Sequence, residues 1–126
     1  MQSTRIRVAV VDDEPTMRAA LEDLISGHDG LELVGSGSSA NEAVELARTI
    51  RPDVILLDVL LPGGGPAAAD GILQTSPGTA VIAISAYTDR GTVGRMMAAG
   101  AVSYLAKGRS TTVEIISAIE RAANAR

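Results

Sequence analysis

PDVILLDVLLP, residues 52–62, carries an unbroken apolar run from Val54 to Leu57 that stops on a carboxylate, Asp58. A proline-aspartate pair precedes the run, and Pro62 with three glycines closes it, which is the pattern of a strand buried on both faces. Asp58 then lies at the C-terminal end of that strand, the edge of an open α/β sheet where binding sites are built. A lone strand-end aspartate is equally an ordinary turn or cap residue, so the rest of the chain decides its meaning.

Outward from this stretch, strands and helices alternate. Ile6 to Val11 is a β-branched run ending in Asp12, Asp13 and Glu14, and Pro15 opens a helix with Met17, Ala20, Leu21, Leu24 and Ile25 at helical spacing. Leu31 to Ser36 reads as a second strand, placed at an edge by the acidic Glu32. Ser38 or Ser39 caps the next helix, whose stripe is Ala43, Val44, Ala47 and Ile50. Beyond the pivotal strand, Gly63 to Pro66 reads as a flexible loop and Ala67 to Thr75 as a short helix, truncated or irregular. Thr79 to Ser85 is a fourth strand. A fourth helix over 88–99 is weakened by Gly91 and Gly94, each worth about 0.5–1 kcal/mol relative to alanine. A fifth strand lies within Ala101 to Ala106, and Ser110 or Thr111 opens a last helix carrying Ile115, Ile116 and Ile119. Five strand–helix units with short, right-handed crossovers make a parallel sheet covered on both faces, a three-layer α/β sandwich.

Composition removes several function classes. With 126 residues the chain suits one domain, and its net charge of −4 without a basic stripe disfavours nucleic acid and anionic membranes. Two tyrosines and no Phe or Trp offer no platform for stacking bases, and nothing after the fifth helix could serve as a recognition element. Zero cysteines exclude disulfides, thiolate catalysis and Cys-ligated metal. The N-terminal MQSTRIRVAVV reaches two aspartates too soon for a signal peptide or a membrane span, so the expected location is cytoplasmic.

Strand ends carry the chemistry. Asp12 and Asp13 follow strand one, Asp58 ends strand three, Ser85 ends strand four, and Lys107, the one lysine among 11 basic residues, follows strand five. If strands one, three and four are neighbours, as in the flavodoxin-like order 2-1-3-4-5, these groups ring one pocket. Three carboxylates repel unless a cation compensates, and an all-oxygen set suits a hard divalent ion such as Mg²⁺. Such an ion leaves room for phosphate oxygens. Asp58 can then accept a phosphoryl group as an acyl phosphate, with Lys107 neutralising charge and Ser85 donating a hydrogen bond.

The acidic pair, the strand ending in Asp58 with Pro62 four residues on, Ser85, and the segment AGAVSYLAKG with Tyr104 and Lys107 together resemble the receiver domains of two-component response regulators. The likeness runs end to end, implying a single receiver domain over 1–126 with the (βα)5 flavodoxin-like fold. It implies that Asp58 is the phospho-acceptor, that Asp13 and Asp58 ligate magnesium directly and Asp12 mainly through water, and that the Leu60 carbonyl is a further ligand. Ser85 and Tyr104 become the switch pair and Lys107 the phosphate-binding lysine. The implied partners are a sensor histidine kinase or phosphotransfer protein, a homodimer, and a C-terminal output domain outside this chain. Such a domain is a signalling switch and catalyses only its own phosphorylation and dephosphorylation.

Three features depart from the family pattern. Lys107 is followed by Gly108 where many receivers have proline, closer to receivers of LuxR-type regulators. The loop after Asp58 is glycine-rich, and Leu60 sets an apolar side chain beside the pocket, with an expected effect on acyl-phosphate lifetime. The competing class is a degenerate receiver acting as a constitutive interaction module. A flavin protein or phosphatase on the same fold is disfavoured, because DDEP stands where a glycine-rich phosphate loop would follow strand one.

Overall fold

The computed structural model describes residues 4–125. Met1–Ser3, part of the stretch read above for a leader, and Arg126 lie outside the described residues. The elements are β1 (Ile6–Val11), α1 (Pro15–Ser26), β2 (Leu31–Gly37), α2 (Ala40–Thr49), β3 (Val54–Asp58), α3 (Gly65–Thr75), β4 (Ala80–Ser85), α4 (Arg90–Ala98), β5 (Ser103–Ala106) and α5 (Thr112–Asn124). One five-stranded sheet has the order β2-β1-β3-β4-β5, and each neighbouring pair is parallel. This is the flavodoxin-like (βα)5 sandwich, with β3 at its centre.

Strand periodicity sorts the core into two halves. Ala9, Val11, Ile55, Leu57, Val81 and Ala83 face α2, α3 and the Met96 side chain of α4. Val8, Val10, Val54, Leu56, Ile82 and Ile84 face Leu21 and Ile25 of α1 and Ile115 and Ile119 of α5. Both faces of β3 are therefore sealed, which explains its continuous apolar run. Each fully buried Ile or Leu is worth about 1.5–3 kcal/mol relative to exposure. The first layer packs closely because it is built of alanine and glycine: a Cβ at Gly71 would stand 2.7 Å from Val44 Cγ2 on α2.

Local chemistry sets the helix starts. Glu14 caps α1 by accepting the Thr16 and Met17 amides. Ser39 caps α2, and Thr111 with Glu114 forms a capping box on α5. The third helix departs from expectation. It is a regular helix of 11 residues and begins two positions earlier, at Gly65. Pro66 supplies a φ suited to the first turn, and Gly65 is buried where a Cβ would lie 2.6 Å from the Val59 carbonyl oxygen. The fourth helix is confined to 9 residues, because Asp89 takes an extended conformation and caps it through the Thr92 amide. Among the described residues no helix is long and apolar enough to cross a membrane.

Candidate functional site

Parallel pairing delivers the polar strand ends to one pole. Asp58 is the last residue of β3, paired in register with Ile84 of β4, and is 4% exposed. Asp12 leaves β1 with its amide bonded to the Gly37 carbonyl at 3.0 Å and is fully buried. Asp13, next in the chain, is exposed. β4 and β5 bring Ser85 and Lys107 together, with the Lys107 amide donating to the Ser85 carbonyl at 2.7 Å.

The side chains converge as the sequence reading expected. Lys107 Nζ lies 2.9 Å from Asp12 Oδ2 and 3.2 Å from Asp58 Oδ2. The other oxygens are held by the main chain: Asp12 Oδ1 accepts the Glu14 amide at 2.9 Å, and Asp58 Oδ1 accepts the Leu60 amide at 3.2 Å. Burial pushes the Asp58 carboxyl up to about 6; the Leu60 amide opposes this, the Asp12 charge adds to it, and Lys107 opposes it. Burial alone would lower the Lys107 ammonium, but its hydrogen bond to Asp12 and the two carboxylate charges hold it above the ordinary lysine range.

The residues fit a hard divalent cation. Asp12, Asp13 and Asp58 each offer a carboxylate oxygen, all within 4.8 Å of one another. Asp12 Oδ2, buried, has the Lys107 ammonium 2.9 Å away and no other polar partner among the described residues, which leaves it able to face a cation. A ligand set made only of oxygens, on a mostly buried floor with one exposed member, matches what magnesium takes while keeping water.

Ser85 and Tyr104 meet at a third residue. Ser85 Oγ accepts the Tyr87 amide at 3.0 Å, and the Tyr104 hydroxyl donates to the Tyr87 carbonyl oxygen. Arg109 reaches the neighbouring Thr88 hydroxyl at 3.4 Å. The β4–α4 loop is thus pinned from Ser85 on one side and from β5 on the other. Tyr87 was missed by the sequence reading, because its main chain does the bridging and no side-chain letter records that. Leu60 and Tyr87, 56% and 55% exposed, border a groove of about 440 Å³ between the start of α3 and α4, where Pro66, Thr92 and Arg95 also line it.

A doubly wound parallel sheet with an acidic pocket and a lysine at the carboxyl ends of its strands defines a flavodoxin-like α/β domain with its candidate site at the usual sheet edge, and sequence comparison gives the family. The chain belongs to the response regulator receiver domain family, whose model matches residues 8–120. It is 42% identical over 112 residues to protein-glutamate methylesterase/protein-glutamine glutaminase 3 of Myxococcus xanthus, covering 86% of this chain and 32% of that protein. It is 36% identical over 115 residues to response regulator GacA of Pseudomonas viridiflava, covering 90% of this chain and 53% of the relative. The chain therefore spans a third to a half of these curated relatives. Among solved structures, the signal receiver domain of the NarL response regulator from Mycobacterium tuberculosis superposes with a TM-score of 0.92 at 32% identity, covering 98% of this chain and 99% of that one.

Proposed function

We propose that residues 1–126 act as one phospho-accepting receiver, in which Asp58 takes a phosphoryl group from a phosphohistidine of a sensor histidine kinase or phosphotransfer protein. An Asp58 oxygen attacks phosphorus, the phosphorus–nitrogen bond breaks, and the departing imidazole nitrogen keeps the electron pair and takes a proton. Asp12, Asp13 and Asp58, with the Leu60 carbonyl, would hold magnesium, which when bound neutralises charge on the phosphoryl oxygens. Lys107 supplies a second, movable positive charge, and the Ser85 hydroxyl donates to a phosphoryl oxygen.

The observation that carries this reading is the Lys107 ammonium set between Asp12 and Asp58 at the end of the central strand. One ammonium set against three carboxylates leaves this pole net negative, a charge that a divalent cation balances and that suits a phosphoryl site. Once Ser85 turns to the phosphoryl group, the Tyr87 amide loses its acceptor, and Tyr104 and the α4–β5–α5 surface are re-weighted between two arrangements. That surface would pass the signal to a second receiver copy or to an output domain outside this chain, in the cytoplasm. Transcriptional control is the output favoured by the likeness to a Bacillus subtilis relative, 33% identical over 124 residues, that bears the name of a transcriptional regulatory protein; the Myxococcus xanthus relative bears the name of an enzyme, and a catalytic output is the alternative.

The test is intact mass after incubation with acetyl phosphate and Mg²⁺, beside Asp58→Asn. A gain of about 80 Da that requires Mg²⁺ and is lost in the variant is expected. No gain in a folded protein, with beryllofluoride equally without effect, transfers the assignment to a constitutive interaction module.

A further inference from the structure

Arg18 is the fourth residue of α1, close to the positive end of the helix dipole, where acidic side chains are the stabilising choice. A residue that breaks a local rule without an evident gain in stability points to a task elsewhere. The half-buried guanidinium turns back over the helix start, and its Nη1 donates to the Asp12 carbonyl oxygen at 2.8 Å. Its charge is also felt by Glu42, whose carboxyl is held below its ordinary range chiefly by the Ser38 amide and hydroxyl.

The acceptor makes this contact informative. The Asp12 carbonyl and the Asp13 amide belong to one planar peptide unit. Holding that plane restrains ψ of Asp12 and, with the following peptide held by the Glu14 amide on Asp12 Oδ1, it restrains φ of Asp13 and so the direction in which the Asp13 side chain leaves the backbone. Asp12 has other restraints: its amide is on Gly37, Oδ1 on Glu14, and Oδ2 faces Lys107. Asp13 is exposed, and among the described residues no hydrogen bond to its carboxylate is found. Its place in the acidic trio is set by the backbone, hence by what holds the 12–13 peptide.

We propose that Arg18 is a positioning residue for the divalent-cation site, locking the Asp12–Asp13 peptide so that Asp13 joins Asp12 and Asp58 around one ion. This rests on the magnesium reading of the pocket. Electrostatics alone gives the opposite sign: a cation beside an acidic pocket repels a metal, so removing its charge should tighten binding. Positioning requires removal to loosen it.

The experiment is calorimetric titration of the unphosphorylated 126-residue chain with Mg²⁺, for wild type, Arg18→Gln, Arg18→Met and Arg18→Lys. The metal-dependent amide shift of Asp13 is followed by NMR, and each variant's melting without metal is recorded as a fold control. The expected result is an affinity about tenfold lower in Arg18→Gln, the low end for an outer-shell partner, with part restored by lysine, which can donate to one carbonyl. Arg18→Met keeps the aliphatic stem and is read in place of glutamine should that variant not fold. Binding as tight as wild type, or tighter, in the glutamine or methionine variant overturns the proposal, as does a lysine variant no better than these. Wild type failing to bind Mg²⁺ removes the reading of the pocket itself, a distinct result.

Discussion

The Lys107 ammonium stands 3.2 Å from Asp58 Oδ2, and the same nitrogen serves Asp12, so one lysine compensates two carboxylates at the sheet edge. Their side chains are 16%, 6% and 0% exposed for Lys107, Asp58 and Asp12. Lys107→Met leaves two buried charges unpaired, and a loss of about 2–4 kcal/mol is expected at pH 7 without metal. Mg²⁺ should recover a good part of it. Urea unfolding with and without Mg²⁺ measures both, and equal losses in the two conditions would contradict cation compensation.

The raised Asp58 carboxyl fixes the sign of a pH effect. Its folded value is about 6 against an ordinary 3.8, so between those limits the folded state binds more protons than the unfolded chain. That contribution is present in acid, falls as pH rises through the window, and is flat above it. Asp58→Asn cannot titrate. Its stability relative to wild type should therefore rise by about 1–3 kcal/mol between pH 4 and pH 7 in metal-free buffer. The rise should shrink in Mg²⁺, which competes with the proton for the same oxygens. Denaturation midpoints across this range decide it.

Tyr104→Phe removes one donor and leaves the Tyr87 carbonyl without its partner. A loss of about 1 kcal/mol is expected, concentrated in the β4–α4 loop. Hydrogen exchange should accelerate over residues 86–89 and α4 while β1 and β3 stay protected. Uniform acceleration would mean that the bond is part of the global core.

Two glycines separate mobility from necessity. A Cβ at Gly94, inside α4, meets nothing within 4 Å, so Gly94→Ala should stabilise the chain by about 0.5–1 kcal/mol. Gly100 has φ +112, and a Cβ there would stand 2.1 Å from Leu73 Cδ1, so Gly100→Ala should destabilise by more than about 2 kcal/mol. Thermal melts of the two variants should move in opposite directions.

How far the sequence could be read follows from what each contact is made of. β3 was legible because burial on both faces writes an apolar run, and the convergence of the acidic trio with Lys107 was legible because side chains themselves make those contacts. The start of α3 was not, since Gly65 owes its place to the Val59 backbone beside it. The bridge through Tyr87 and the reach of Arg18 were hidden for the same reason: the partners are main-chain amide and carbonyl groups, which no side-chain letter marks.

Helix α4 places a single fully buried side chain, Met96, in the core, while Arg90, Arg95 and Met97 point outward. Its sequence is consequently almost free of the constraints that fix β3 and the acidic pole. On the receiver reading proposed above, partner choice can drift through substitutions on this helix while the chemistry at Asp58 stays as it is. A lineage built on this architecture can thus duplicate the domain and separate the copies' wiring within a few mutations, before either copy has lost its fold.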